Sequence, residues 1–499
     1  MRRQSRIPYR WIAAAGALAL GEAVGLVGCR WAAFWPLAAA ALALTSLYGF
    51  GLAWRRWGVV AFGLAGLALA LRFESGRAEL LLAAENGRGP FVVELDVTEV
   101  PQVRGGWASF RSEVSGVQLE VVLPVGAFGV PGVGDRWRVA GWLERKDRSD
   151  RRCRTVWVKG RGTFAARVGD MRFGACYRFA EKVRRRLSAA SATGLVERSS
   201  AAGLHRAMLL GERSRLAKSD RETFIAAGTM HVFAISGLHV GVVALVIVTL
   251  LVMVFVPLRL AGALMVPILW AYVFLIGLPP SAVRAALMAS CYFLAPVLWR
   301  RSDAFVAWSQ AFVIVHVADP GALVSVGSLL SFSIMLTILA YDRWADAMSL
   351  SGGLRSVGLV FAIWAAGAPI AAVVFGRLTP GGMLANLLVV PLAGVSVACG
   401  FLGTVFCVAF PVLGVHFNNA AALATDAMRG VSAAVASLPG SCLETVSWSF
   451  GWCVCWYLAL LAGAAVLLGC RRYGLFGRMA DAWKCSFRGV FGWTLPPRV

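Results

Sequence analysis

His231-Val232-Phe233-Ala234-Ile235-Ser236-Gly237-Leu238-His239-Val240-Gly241 places two histidines, a serine and two glycines at the head of an apolar run. That run continues through Leu245, Val246 and Leu250 to Val256. A stretch of this length with so few charges reads as a transmembrane helix. Polar and ionisable side chains are costly in hydrocarbon, so within a span they face a cavity, a partner helix or a pathway. The stretch therefore reads as the way into an intramembrane site.

The rest of the chain has the same character. Its 499 residues are 59% hydrophobic and only 15% charged, where a soluble chain is nearer a quarter charged, which marks a polytopic membrane protein. Even so, 49 Lys and Arg stand against 26 Asp and Glu, a net charge of +23. Such an excess has two readings: cytoplasmic anchoring by the positive-inside bias, or an anionic partner such as nucleic acid or lipid headgroups.

Position along the chain separates these readings. Apolar runs over 11–27, 31–52 and 57–71 are preceded or divided by Arg2, Arg3, Arg6, Arg10, Arg55 and Arg56. Positive-inside bias puts both arginine clusters in the cytoplasm and delivers the chain from Glu74 onward to the opposite side. The first run lacks a cleavage signature and reads as a retained helix. Residues 1–73 are thus an N-terminal membrane segment.

Residues 74–170 read as an extracytoplasmic β-rich domain, with alternating strands over Phe91–Val100, Val117–Leu123, Arg136–Leu143 and Thr155–Lys159. A basic, helical linker fills 171–230, with an amphipathic helix from Met171 to about Ser191 carrying Lys182, Arg184, Arg185 and Arg186. Residues 231–470 are almost wholly membrane. Spans are expected over 231–256, 260–277, 282–299, 304–317, 322–341, 357–375, 383–408, 412–438 and 447–468, followed by a basic cytoplasmic tail over 471–499. Both termini lie inside, and the total is about twelve transmembrane helices.

Two constellations could carry chemistry. From Arg136 to Arg161 ten basic residues face three acids. Arg136, Arg138, Arg145, Lys146, Arg151, Arg152, Arg154 and Lys159 are interleaved with Trp137, Trp142 and Trp157. Cations that track phosphates beside rings that stack on bases are what single-stranded nucleic acid binding needs. A solvated loop, or a contact to anionic headgroups with the tryptophans in the core, is the competing reading. The second constellation is polar residues within the spans: His231, Ser236, Gly237, His239, Gly241, Arg284, Ser331 and Asn386. Arg284 could snorkel to the interface or line a polyanion path, and hydroxyls such as Ser331 also serve helix–helix contacts. His231 and His239, eight apart, share one face if both are helical.

Other chemistry finds no support in the sequence. There is no phosphate loop of the GxxxxGK[ST] type, no HExxH and no metallohydrolase histidine run, so no cofactor or metal site is expected. Ser236 with His239 could be nucleophile and base, and a membrane enzyme or transporter acting on an anionic lipid or glycan through Ser236, His239 and Arg284 is the alternative function. Most of the 11 cysteines sit in apolar runs; Cys153 and Cys176, in the polar region, could pair in an oxidising compartment.

Several blocks resemble the ComEC competence family of DNA-uptake channel proteins. They are Ala207-Met208-Leu209-Leu210-Gly211-Glu212, Phe224, Gly228-Thr229, His231–Gly241, Gly277…Ser281…Arg284-Ala285…Met288, Asp319-Pro320…Leu330-Ser331-Phe332 and Asn386-Leu387…Pro391-Leu392. The resemblance implies a multi-pass bacterial inner (cytoplasmic) membrane channel that imports single-stranded transforming DNA. It also implies an oligonucleotide-binding-like β-domain, and membrane lipids, an external DNA receptor, a helicase motor and a nuclease as partners. Longer members end in a metallo-β-lactamase-like domain; here a basic tail (Arg471, Arg472, Arg478, Lys484, Arg488) follows the last span, so nuclease activity is expected from elsewhere.

Overall fold

The computed structural model describes residues 91–460, apart from 115–116, 146–152, 158–163, 196–199, 213–216, 234, 320–321, 323–324, 445–451, 454 and 458. The three spans expected before residue 74, most of the last expected span and the basic tail lie outside the described residues. The chain divides into two compact units, Met1–Gly367 with Leu378–Leu443, and Ala368–Arg377 with Glu444–Val499. In the second unit the Cys453 thiol faces the Pro369 carbonyl at 3.8 Å. All that follows concerns the first.

Seven strands come first: β1 (Phe91–Asp96), β2 (Gln102–Arg104), β3 (Trp107–Val114), β4 (Val117–Pro124), β5 (Asp135–Arg145), β6 (Cys153–Trp157) and β7 (Phe164–Asp170), with a short helix α1 (Val125–Phe128) after β4. Period-two alternation decides which side faces in. Val93 and Leu95 of β1, Ala108 and Phe110 of β3, Leu119, Val121 and Leu123 of β4, and Trp137 and Val139 of β5 form one buried core. The strand order is β1-β5-β6-β4-β3-β2 with β7 beside β5, antiparallel throughout except for the parallel pair β4 and β6. Gly105 and Gly106, at φ 56° and 80°, form the two-residue turn between β2 and β3. Both positions need the left-handed region that glycine reaches without strain.

Helix α2 (Gly174–Ala190) confirms the amphipathic helix expected from Met171. Its basic face is partly neutralised, since Glu181 pairs with both Arg184 and Arg185 at 2.8 Å. The start of α2 is fastened to the start of β5: the Met171 amide donates to the Gly134 carbonyl at 2.9 Å. A methyl group on Gly134 would meet the Gly174 carbonyl oxygen at 2.6 Å. This attachment rules out the Cys153–Cys176 disulfide. Cys153 pairs with Gln118 beyond the Arg145 end of β5, whereas Cys176 follows Gly174 at the Gly134 end. About ten residues of strand, on the order of 30 Å, separate those ends, and a disulfide needs Cα atoms within about 7 Å. Cys176 is a free, exposed thiol.

The remaining helices are α3 (Ser200–Leu210), α4 (Lys218–Ala226), α5 (Gly237–Met253), α6 (Leu258–Leu275), α7 (Pro280–Leu294), α8 (Ala304–Ala318), α9 (Val326–Met348), α10 (Gly352–Phe375), α11 (Gly381–Ala409) and α12 (Pro411–Ala436). Each of α5 to α12 falls on one expected span. Four helices, Leu258–Leu275, Val326–Asp346, Gly352–Phe375 and Gly381–Ala409, are long and apolar enough to cross a membrane, and α5 and α8 are shorter apolar helices. Leu245, Leu258, Phe361, Leu384, Leu388 and Leu423 point outward and exposed, as lipid-facing side chains do. The protein is mostly helical and a membrane protein.

One expected span starts late. Residues Met230–Phe233 form a 3-10 turn, and α5 begins only at Gly237, after Ser236 in extended backbone (φ −109°, ψ 173°). His231 and His239 therefore do not share a helical face; His231 is exposed and His239 is buried. The helical core joins Val240, Val243 and Ile247 of α5, Met265 and Leu269 of α6, Ala282 and Ala286 of α7, and Ala385, Val389 and Ala393 of α11. The alanines on α7 and α11 let these helices approach closely, as small residues do in membrane bundles.

Candidate functional site

At the start of α5, the His239 ring folds back onto its own helix terminus. Its Nδ1 accepts the Ser236 backbone N–H at 3.3 Å and lies 2.9 Å from the Ser236 hydroxyl. This is a capping box with histidine in the place usually held by Glu or Gln. Because Nδ1 accepts, the ring proton is on Nε2, which is buried and has no protein partner. The Ser236–His239 contact has the spacing of a nucleophile and base, yet no carboxylate orients Nε2 among the described residues. Gly237 sits beside Ala285 of α7, where a Cβ would meet the alanine methyl at 3.7 Å. Gly241 is exposed, and a Cβ there would meet nothing within 4 Å.

Arg284 lies one turn into α7, which begins after Gly277 and Leu278 (φ 90° and 53°) at Pro279-Pro280. Proline is pre-organised for a helix start. Arg284 is only 5% exposed. Its Nη2 donates to the Gly327 carbonyl of α9 at 2.9 Å, and its Nε has no partner. Next to Gly327, the Ser328 hydroxyl is buried and also without a partner. Ser331 is half-buried on α9. Asn386, in the second turn of α11, keeps a buried, unpartnered Oδ1.

These residues gather because α5, α7, α9 and α11 start at the same end of the helical body. The Ser281 hydroxyl at the start of α7 donates to the Ile235 carbonyl just ahead of α5. Arg284 joins the start of α7 to that of α9. Gly228 (φ 70°), ahead of α5, lies against Thr379 and Gly382 at the start of α11, where a Cβ would be 2.6 Å from the Thr379 hydroxyl. These four helices thus start at one end of the helical body, where helix N-termini carry a partial positive charge, and His239, Arg284, Ser328 and Asn386 lie in their first two turns.

The β-domain residues divide differently. Arg136 makes two bonds to Asp96, at 2.7 and 3.1 Å, and Arg138 bonds Glu94 at 3.0 Å. The hydrogen bond from Asp96, then its charge, raise the Arg136 pKa above its ordinary value. Trp137 is buried in the β core and Trp142 is 45% exposed. The stacking expected of Trp137 is thus overturned: period two puts it on the Val139 face. The backbones of Arg145, Arg154 and Trp157 lie on β5 and β6; Lys146, Arg151, Arg152 and Lys159 lie outside the described residues.

Among the buried polar residues that the sequence reading did not put on the path are His205 and Asn418. The His205 ring on α3 rests on Gly400 of α11, and its Nε2 has no partner; burial, then the adjacent Arg206 charge, push its pKa down to about 4. Asn418 of α12 donates to the Ala190 and Thr193 carbonyls at 2.9 and 3.1 Å. A polar residue inside an apolar helix was the available signal. Among the described residues, no three His, Cys, Asp or Glu side chains come together as a metal site.

The family model described as "Competence protein" matches residues 208–469, which takes in the whole gathered site. The chain is similar to ComE operon protein 3 of Bacillus subtilis (strain 168), 27% identical over 159 residues, 32% of this chain and 20% of that one. It is similar to Competence protein ComA of Neisseria gonorrhoeae, 29% identical over 311 residues, 56% of this chain and 42% of that one. It is also similar to the uncharacterized protein YcaI of Escherichia coli (strain K12), 26% identical over 198 residues, 37% of this chain and 26% of that one. The chain spans less than half the length of each of these relatives. No solved structure matches. With more than half of its residues matched by that family's model, the chain belongs to the competence protein family, of the ComEC type.

Proposed function

We propose that the protein is an inner-membrane channel that carries single-stranded DNA into the cell during natural competence. The observation that carries this reading is the placement of unpartnered polar atoms. His239, Arg284 and Asn386, chosen from sequence as path residues, each keep a buried polar atom without a protein partner inside the competence-matched region. An unmade hydrogen bond costs about 1–3 kcal/mol, and hydrocarbon offers no water to replace it. Groups kept at that cost serve something that passes. The β-domain, on the extracytoplasmic side, captures the strand; its strand-rich build, with one parallel pair between β4 and β6, supports the oligonucleotide-binding-like reading. The gathered helix starts face that side and form the mouth. An external receptor, a helicase motor and a nuclease work with the channel.

The test is uptake of labelled DNA by competent cells whose own copy is replaced by Arg284→Gln or Asn386→Leu variants of confirmed membrane level. Loss of uptake of about tenfold or more is expected, and wild-type uptake by both overturns the reading. The 2.9 Å Ser236–His239 contact is what favours an enzyme acting on an anionic lipid or glycan. Ser236→Ala, which removes the nucleophile and leaves the His239 ring, separates that reading: uptake persists in a channel, and turnover ceases in an enzyme.

A further inference from the structure

Arg284 is a buried cation whose one hydrogen bond among the described residues goes to a carbonyl, with no carboxylate at ion-pair distance. Burying a charge without a counter-charge is costly. Its surroundings add to the positive potential. The carbonyl it bonds belongs to Gly327, in the first turn of α9, a helix of 23 residues whose N-terminus carries a partial positive charge. Within that turn Ser325 caps the helix, and its hydroxyl accepts the Ser328 amide at 3.2 Å. The amides of Val326 and Gly327 precede the helical ladder. The Ser328 hydroxyl, 1% exposed, has no partner. A guanidinium, a hydroxyl and a helix N-terminus lie within one turn of α9, and a Cβ on Gly327 would be in ordinary contact with Arg284 Nη2 at 3.8 Å. All three can donate hydrogen bonds to a negative group.

We infer that Arg284, Ser328 and the first-turn amides of α9 form a binding station for one phosphate group, and that its occupant is a phosphodiester of the passing strand. The occupant's identity rests on the passage reading above; the station itself rests on the geometry. Helix N-termini bind phosphate through these amides and the dipole, and arginine matches phosphate oxygens with paired donors. Arg284 and Ser328 are buried within the protein, so the phosphate that reaches them is drawn into the body of the protein, as a threaded strand is. A headgroup at the lipid-facing side is not.

The experiment uses the full chain in phosphatidylcholine nanodiscs, with inorganic phosphate and a short oligothymidylate as probes, titrated at fixed ionic strength against chloride. Both probes bind the wild-type protein. Arg284→Gln weakens both by roughly tenfold or more, as expected for loss of a charge-assisted bond, and Ser328→Ala weakens both by about threefold to tenfold. The ligand-free Arg284→Gln protein melts no lower than wild type, because an uncompensated charge is removed; a lower melting temperature with unchanged phosphate binding assigns Arg284 to packing and overturns the station. Absence of phosphate binding to wild type, or wild-type phosphate binding by both Ser328→Ala and Arg284→Gln, also overturns it. Displacement of phosphate by phosphatidylglycerol in the disc but not by oligothymidylate gives the site to a headgroup and overturns the strand assignment. If both probes bind as expected while DNA uptake by Ser328→Ala and Arg284→Lys cells is unchanged, the station stands and the passage reading fails. If uptake depends on Arg284 while wild type binds no phosphate, the station fails and the passage reading stands.

Discussion

Replacing His239 by glutamine and by alanine separates the two roles that its two ring nitrogens play. Nδ1 accepts the Ser236 amide and meets the Ser236 hydroxyl, closing the start of α5; Nε2 is the buried donor without a partner. Glutamine is a natural member of the capping box and can still accept the Ser236 amide, but it replaces the ring Nε2–H with an amide NH2 at a different position. Alanine removes both. Loss of a cap costs about 1 kcal/mol, which is roughly a fivefold change in a local opening equilibrium. The assay is amide hydrogen exchange across Ser236–His239 in the purified protein, alongside DNA uptake in cells. His239→Ala should lose about fivefold in protection at Ser236, whereas His239→Gln should keep it. Both should lose uptake. Equal loss of protection in the two variants would refute the capping argument. Wild-type uptake by His239→Gln, with the helix start intact, would refute the argument that Nε2 faces the path.

Three further outcomes follow from other parts of the fold. Trp137→Ala should destabilise the β-domain by about 3–5 kcal/mol, as for other buried large aromatics, while Trp142→Ala should leave it folded and weaken oligonucleotide binding by about 1–3 kcal/mol for each base lost from stacking; denaturation and fluorescence titrations of the full chain distinguish them, and the reverse pattern would refute the assignment. Asp170 accepts hydrogen bonds from Arg178 and Arg167, and the Arg178 bond, followed by the charges of both arginines, outweighs desolvation and holds its pKa below its ordinary value of 3.8. The unfolded chain then binds the proton more readily, so this contribution is complete above pH 3.8 and fades as pH falls through the lower folded value; proteolysis at the β7–α2 junction should rise in that acid range and lose its pH dependence in Asp170→Asn. Gly400→Ala puts a methyl group into the His205 ring, 2.1 Å from Cε1, at an expected cost of about 1–3 kcal/mol; adding His205→Ala should restore most of the melting temperature, and additive losses would show that the two do not touch.

The positions of helices α5 to α12 are readable from sequence because charge and proline bracket each apolar run, and four of these helices are long and apolar enough to cross a membrane. The start of α5 was misplaced because hydropathy continues through Val232 to Ile235, whereas a helix begins where a side chain can satisfy its first amides, at Ser236. Among the strands, β1 and β4 show clean alternation. Strand β3, Trp107–Val114, was not visible because two of its alternating positions are Ala108 and Ser112, which carry little hydropathic contrast. β7 buries only Ala165 in full, so its place is set by pairing with β5, not by pattern. Trp137 was read as a stacking ring although Arg136, Arg138 and Val139 already fixed its inward parity. The burial of His205 and Ser328 depends on partners far along the chain, and no local pattern carries that information.

The site residues share one property that composition does not reveal: His239, Arg284, Ser328 and Asn386 all lie in the first two turns of alternate helices. That placement bears on how a polyanion could be moved as well as bound. A path lined by lysines and arginines would hold each phosphate by a charge-assisted bond of about 1.5–3 kcal/mol, and successive contacts would trap the strand. A helix N-terminus attracts a negative group by about 0.3–1 kcal/mol, which favours occupancy and still permits release, the balance that conduction requires. On this reading Arg284 is a stronger point within a series of weaker ones, and several other arginines among the described residues are matched by acids. Arg136 and Arg138 are matched by Asp96 and Glu94, and Arg355 by Asp342 and Asp346. The mouth is then made attractive to phosphate by backbone direction, and a motor outside the membrane has only shallow wells to pull the strand across.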